Sequence, residues 1–329
     1  MSSGGNINAI MEVKDIVKSF RAKSGKKYFN AVENVSLSIK ENTTLVLIGE
    51  SGCGKSTLGR LVTGVFKPTS GQILYKNKNI WKLKGDDYRD FRRNCQMVHQ
   101  DPYSTFNPMK TIYDSLKAPL LHYSLANKRN IWDKTAELLE MVKLEPPEDF
   151  LNRYPHQLSG GQLQRIAIAR VMSVRPKFLV ADEIVSMLDA SLRVEILDLL
   201  LRLKKEYGFS VLFITHDLAT ARYFASEEEV ALMYLGNIIE RATFKEVLDE
   251  PLHPYMKVLI DSVPVLDPRM HRPLPKLKSW TPIDPVNPPS GCKFHPRCPY
   301  ATSICEKEKP SLEEVKTGHH VACHLYRKK

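Results

Sequence analysis

The chain has 329 residues, 43% of them hydrophobic and 26% charged, which allows two domains and a substantial core. Its 48 Lys and Arg exceed its 37 Asp and Glu by a net +11, but the basic residues run from Lys14 to Lys329 among many acids, which argues against a dedicated nucleic-acid surface. No apolar stretch approaches the roughly 20 residues that span a bilayer, and Met1-Ser2-Ser3-Gly4-Gly5 is polar and unlike a signal peptide, so an intracellular chain is expected whose membrane role runs through partners.

In chain order, the first clear element is Thr44-Leu45-Val46-Leu47-Ile48, a short β-branched apolar run that predicts a buried strand. Gly49-Glu50-Ser51-Gly52-Cys53-Gly54-Lys55-Ser56 follows, with Thr57 next, and Lys55–Val62 opens a helix. This strand–loop–helix is the setting in which G-x-x-x-x-G-K-[ST] cradles phosphates. Gly52 and Gly54 let backbone N–H groups turn inward, and the helix N-terminus adds partial positive charge. Lys55 is expected on the β- and γ-phosphates and Ser56 on Mg²⁺.

Between residues 101 and 157 helical patterning dominates, as in Trp132–Val142, until Pro146-Pro147 breaks it. Leu158-Ser159-Gly160-Gly161-Gln162 then stands at the head of a helix predicted over Gln162–Met172. Taken alone, Ser159 reads as a helix cap. Lys177–Glu183 is a second apolar strand ending in two carboxylates. Asp182 suits a direct or indirect hold on Mg²⁺, and Glu183 suits a base that orients the water attacking a γ-phosphate. A helix over Ala190–Glu206 places Leu192, Ile196, Leu199 and Leu203 on one face as core packing, not as a zipper. A third strand, Ser210–Thr215, ends at His216, whose place there predicts a γ-phosphate sensor. His122 and His156 read as ordinary surface or core residues.

Beyond Phe244 the chain turns Pro-rich, with Pro264, Pro268, Pro273, Pro275, Pro282, Pro285, Pro288 and Pro289 predicting an extended connector. Of the six cysteines, four fall in the last 38 residues: Cys292, Cys298, Cys305 and Cys323. Such clustering in a reducing compartment favours ligation over disulfides, although the C-x5-C-x6-C-x17-C spacing is not that of a zinc ribbon. Cys53 and Cys95 read as small interior residues, with Cys53 a candidate for thiol-reagent sensitivity.

Residues 10 to 240 resemble the nucleotide-binding subunit of ABC transporters. The resemblance implies an α/β P-loop NTPase fold with a RecA-like core, an antiparallel β subdomain and a helical arm, about 101–157, that docks on a membrane subunit. It places ATP between the P-loop of one subunit and the Leu158–Gln162 signature of another. There Ser159, Gly160 and Gly161 would donate to the partner's γ-phosphate. It further implies that Gln100 contacts Mg²⁺ and the attacking water, that Ser186, Leu188 and Asp189 form the loop touching the partner, and that Phe20 stacks on adenine, with Tyr28 as the alternative. Ile184 departs from the family's usual Pro after the catalytic Glu, and activity is expected to survive it.

The tail, C-K-F-H-P-R-C-P with Cys305, P-S-L and G-H-H-V-A-C-H, looks like the C-terminal extension of oligopeptide and dipeptide importer ATPases. That resemblance implies a [4Fe–4S] cluster on the four cysteines, with Zn²⁺ on thiolates and one of His295, His320 or His324 as the alternative. The implied organisation is an ATPase domain at 10–250, a connector at 251–290 and a small Cys-rich extension at 291–329. The implied partners are a related but different second ATPase, two permeases and, indirectly, an extracellular solute-binding protein, with no nucleic acid. The chain would then be peripheral, on the cytoplasmic face of the inner membrane, using ATP and Mg²⁺ to drive peptide import. Oligosaccharide and nickel import are the alternatives for its cargo. A soluble ABC ATPase of translation or repair fits less well, because one cassette with 58 residues between Gln100 and Ser159 leaves no room for a long coiled coil. A redox-sensing role for the tail is compatible with transport.

Overall fold

The computed structural model describes residues 9–22, 25, 27–262 and 277–327. In chain order the strands are β1 (Ala9–Arg21), β2 (Tyr28–Lys40), β3 (Thr44–Ile48), β4 (Ser70–Tyr75), β5 (Lys78–Asn79) and β6 (Cys95–Val98). They continue with β7 (Phe178–Asp182), β8 (Ser210–Thr215), β9 (Glu229–Tyr234), β10 (Asn237–Thr243), β11 (Glu313–Lys316) and β12 (His319–Val321). Two compact units share the chain in alternation. One holds Lys82–Leu212 with residues 9–10 and Lys40–Thr43; the other holds the described parts of Met11–Ile39, Thr44–Trp81 and Phe213–Lys329.

In the first unit β6 and β7 run parallel, with Cys95 opposite Phe178 and Val98 opposite Ala181. All five residues of β7 are buried, as a parallel strand covered on both faces requires. The helices Ile112–His122, Ile131–Met141 and Glu148–Leu151 pack on one another, and the first two also pack on Gly160–Met172. Helix Ala190–Tyr207 buries Ile196, Leu197, Leu199, Leu200 and Leu203, each contributing about 1.5–3 kcal/mol, whereas Leu192 of the expected stripe stays half-buried. That helix stops at Gly208, whose φ of 61° suits the left-handed C-terminal cap.

The second unit contains an antiparallel sheet in the order β2-β1-β4-β5 and, separately, the run β3-β9-β10-β12-β11. Within that run β3 pairs parallel to β9, while the remaining neighbours are antiparallel. β3 is buried at every position, and helix Lys55–Val62 follows it. β9 and β10 join through Leu235-Gly236, both at positive φ, the geometry of a tight hairpin. The tail does not stand apart as a separate body: β12 adds to β10, Glu240 opposite Val321, within the same unit as the P-loop.

The predicted strands over 44–48 and 210–215 and the helix over 55–62 coincide with the observed ones. The signature helix begins at Gly160, two residues earlier than predicted, because Ser159 caps it. Inside the span read as connector, Pro254–Asp261 forms a helix that buries Tyr255 and Met256. Pro264, Pro268, Pro273 and Pro275 lie outside the described residues, and 277–290 carries neither helix nor strand. Among the described residues no helix is long and apolar enough to cross a membrane.

Candidate nucleotide site

β3 delivers the chain into the glycine-rich loop, and two close approaches explain its glycines. A Cβ at Gly49 would stand 2.2 Å from the Met233 carbonyl oxygen, and one at Gly54, where φ is 112°, would stand 2.1 Å from that of Ala31. Lys55 is buried, its Nζ donating to the carbonyls of Gly49 at 2.7 Å and Glu50 at 3.0 Å. The ammonium is thus folded onto its own loop, where those carbonyls hold it in place. The loop is also gripped from outside. The Glu50 N–H donates to the Tyr255 hydroxyl at 3.0 Å, and the Gly236 N–H donates to the Cys53 carbonyl at 2.8 Å. Cys53 is buried, and burial pushes its thiol up to about 11, which disfavours the thiolate that a thiol reagent attacks. His216 follows β8 and is exposed; the next residue, Asp217, caps helix Leu218–Ala225. Phe20 packs against Phe29 and Phe66 at 6.3 and 5.6 Å, whereas Tyr28 is 72% exposed.

In the other unit, Asp182 closes β7 with its carboxylate buried. Glu183 follows at φ 48°, a conformation non-glycine residues seldom adopt and one that turns the chain sharply off the strand. A short relay connects three predicted residues. Gln100 Nε2 donates to Ser186 Oγ at 3.1 Å, and Ser186 Oγ donates to the Glu183 carbonyl at 2.9 Å. Ile184 is buried, so its side chain serves the core where the family's usual residue is Pro. Leu188 is buried as well, while exposed Asp189 caps helix Ala190–Tyr207 by accepting from Leu192 N at 3.0 Å. Those bonds, first the one from Leu192 and then the one from Ser191, hold the Asp189 carboxyl below its ordinary range.

Leu158 is buried and Ser159 exposed. Ser159 forms a capping box with Gln162: its Oγ accepts from Gln162 N at 3.2 Å, and Gln162 Oε1 accepts from Ser159 N at 3.0 Å. Accepting leaves the hydroxyl hydrogen available, so capping and phosphate donation are compatible. Gly161 sits against Leu192, 3.1 Å from where a Cβ would be. Tyr103 Oη donates to the Leu158 carbonyl at 2.9 Å and so ties the segment after Gln100 to the head of the signature. Sequence reading missed this tyrosine, as it missed Tyr255, because neither carries a local pattern.

The tail requires a correction. Among the described residues, no group of three or more Cys, His, Asp or Glu is placed to hold a metal ion, so neither the expected [4Fe–4S] cluster on Cys292, Cys298, Cys305 and Cys323 nor the zinc alternative is supported. The side chains are engaged otherwise. His295 Nδ1 bonds the Cys292 carbonyl and His324 Nε2 the Glu308 carbonyl, both at 2.9 Å. Burial raises the Cys292 thiol to about 11 and the Cys323 thiol to about 12, and raises Cys298 as well, which disfavours the thiolates that ligation needs. What the tail does instead is build structure. The buried Glu240 carboxylate accepts from Leu252 N, His253 N and His319 Nε2 at 2.8, 2.9 and 2.8 Å, joining β10, the following helix and β12.

Ser56, in one unit, and Gln100 and Asp182, in the other, each carry a hard oxygen donor of the kind magnesium prefers. The family described as ABC transporter matches residues 32–186, and the one described as oligopeptide/dipeptide transporter, C-terminal region, matches 239–305. The oligopeptide transport ATP-binding protein AppF of Bacillus subtilis is 42% identical, covering 98% of this chain and 99% of its own. OppF of Salmonella typhimurium is 40% identical with 92% of each covered, and the dipeptide transport protein DppF of Haemophilus influenzae 40% with 95% and 98% covered. Among solved structures, the ATP-binding cassette MJ0796, a dimer in a post-hydrolysis state bound to ADP and Pi, superposes with a TM-score of 0.63 at 29% identity, over 71% of this chain and 99% of that one. With these matches running nearly end to end, the chain belongs to the family of oligopeptide and dipeptide ABC transporter ATP-binding proteins.

Proposed function

We propose that this ATP-hydrolysing subunit powers the import of oligopeptides or dipeptides, and that the residues described above divide the work as follows. The loop Gly49–Thr57 holds the phosphates, and Lys55 leaves the Gly49 and Glu50 carbonyls for the β- and γ-phosphates. Ser56, Gln100 and Asp182 hold Mg²⁺, which offsets phosphate charge when bound. Glu183 orients and polarises the attacking water, and His216 contacts the γ-phosphate. Phe20, or Tyr28, stacks on adenine. The Leu158–Gln162 signature and the Ser186–Asp189 loop serve the site of the facing subunit. We assign the ATPase to 10–250, with a RecA-like core, an antiparallel β subdomain and a helical arm at 101–157, then a connector at 251–290 and an extension at 291–329.

The observation that carries this reading is Lys55 buried on the carbonyls of its own loop, at the start of a helix that follows a fully buried strand. The peptide cargo rests on the relatives, whose printed names are oligopeptide and dipeptide transport proteins. By the same reasoning the partners are a related second ATPase and two permeases fed by a solute-binding protein, and the chain works peripherally at the cytoplasmic face of the membrane.

The Glu183→Gln variant tests the assignment. Turnover is expected to fall about 10²- to 10⁴-fold while ATP binding persists and a closed dimer accumulates. Hydrolysis at the wild-type rate, measured as phosphate release, would remove Glu183 from its role.

A further inference from the structure

Glu50 is the only acidic residue in the loop Gly49–Thr57, where an anion must bind, and Lys55 is the only basic one. A carboxylate beside a triphosphate site opposes its ligand. The structure supplies a counter-charge from far along the chain, 247 residues away. Arg297 Nη1 lies 2.9 and 3.0 Å from the two Glu50 carboxylate oxygens and 3.4 Å from the Tyr234 hydroxyl. Arg297 is only 7% exposed, so neighbouring groups confine its side chain.

Three anchors hold the segment that presents it. Phe294 is buried in a cluster with Tyr234, Tyr255 and His253, at centroid distances of 5.4, 5.4 and 5.6 Å. Lys293 Nζ donates to Glu33 at 2.6 Å and to the Leu235 carbonyl at 2.6 Å. The Cys292 N–H donates to the Cys305 carbonyl at 2.8 Å. Tyr255, from the same aromatic cluster, accepts from the Glu50 N–H, so one assembly grips both the main chain and the side chain of Glu50.

We propose that Arg297 is a positioning residue of the nucleotide site, neutralising Glu50 and fixing its place so that the loop presents net positive charge to ATP. The proposal rests on the reading of Gly49–Thr57 as the nucleotide loop. It gives the tail a role in ATP affinity that involves no metal.

The test measures nucleotide affinity and steady-state ATPase of the full-length subunit. Arg297→Gln is expected to weaken ATP binding about ten-fold at low salt, raising KM with little change in kcat. ADP should lose less and adenosine nothing, since the effect scales with phosphate charge, and added salt should shrink the difference. Arg297→Lys should recover most of the loss. In the double variant Glu50→Gln with Arg297→Gln, affinity should return to within about three-fold of wild type, because the opposing charge is gone. A packing role alone gives no such rescue.

Should Arg297→Gln fail to fold, Glu50→Gln alone decides: ATP binding at least as tight as wild type supports the proposal, and weaker binding overturns it. The proposal also fails if Arg297→Gln binds ATP like wild type, or if the double variant binds no better than the single. Lys55→Ala separates the two levels. If it leaves ATP affinity intact, the loop assignment itself fails; if it abolishes affinity while Arg297→Gln does not, only the present inference does.

Discussion

His253 shows how one residue can set an acid limit on the fold. Its imidazole is buried, accepts the Tyr255 N–H at 3.0 Å through Nδ1 and lies tilted beside Phe294, while the His253 main-chain N–H donates to Glu240, the carboxylate that also meets His319. Burial pushes it down to about 3 from the ordinary 6.5. Between those values the unfolded chain takes up a proton that the folded chain refuses. Stability contributed by the neutral imidazole is therefore intact above pH 6.5 and declines by roughly 1.4 kcal/mol per unit below it, until about pH 3. Asn at this position can still cap the helix Pro254–Asp261 but cannot titrate. Urea unfolding at pH 7 and pH 5 should show His253→Asn losing less stability than wild type across that interval; equal losses would count against the buried neutral imidazole.

At the scale of elements, the signature helix combines two demands on Ser159, and they can be separated. Ser159→Asn keeps a good cap, so the unfolding free energy should move by only a few tenths of a kcal/mol. The hydroxyl is lost, however, and ATPase activity should drop by at least about ten-fold if that hydroxyl meets a phosphate across the dimer. Unchanged activity would leave Ser159 with the capping role alone.

Legibility in the sequence followed the same division. β3, β7 and β8 could be read because each is an apolar run buried throughout, and the phosphate loop because its glycines and Lys55 are contiguous. The β9–β10 hairpin went unread because Leu235, at φ 40°, occupies a turn position where leucine gives no signal. Tyr255 and Arg297 could not be read at all, since their partner Glu50 lies 205 and 247 residues away. The cysteines misled for the opposite reason. Their pattern is vivid, but burial and hydrogen bonding use the segment as structure.

For the whole molecule, the tail is part of the second unit's core. A chain ending before residue 291 loses β12 from the edge of β10 and His319 from the buried Glu240 carboxylate. An uncovered sheet edge beside an under-bonded buried charge predicts aggregation. Such a truncation should be largely insoluble or rapidly cleaved in limited proteolysis. A soluble, cooperatively unfolding fragment would show that the tail is dispensable to the unit.

The alternation of the two units along the chain has a temporal meaning. The polypeptide passes between them at 10/11, 39/40, 43/44, 81/82 and 212/213, and the residues gripping the phosphate loop come from 236, 255 and 297. A ribosome emits the loop early and its grips late. The nascent subunit should therefore reach its full ATP affinity only after residue 297 has emerged, so that the tightest nucleotide capture comes late in synthesis.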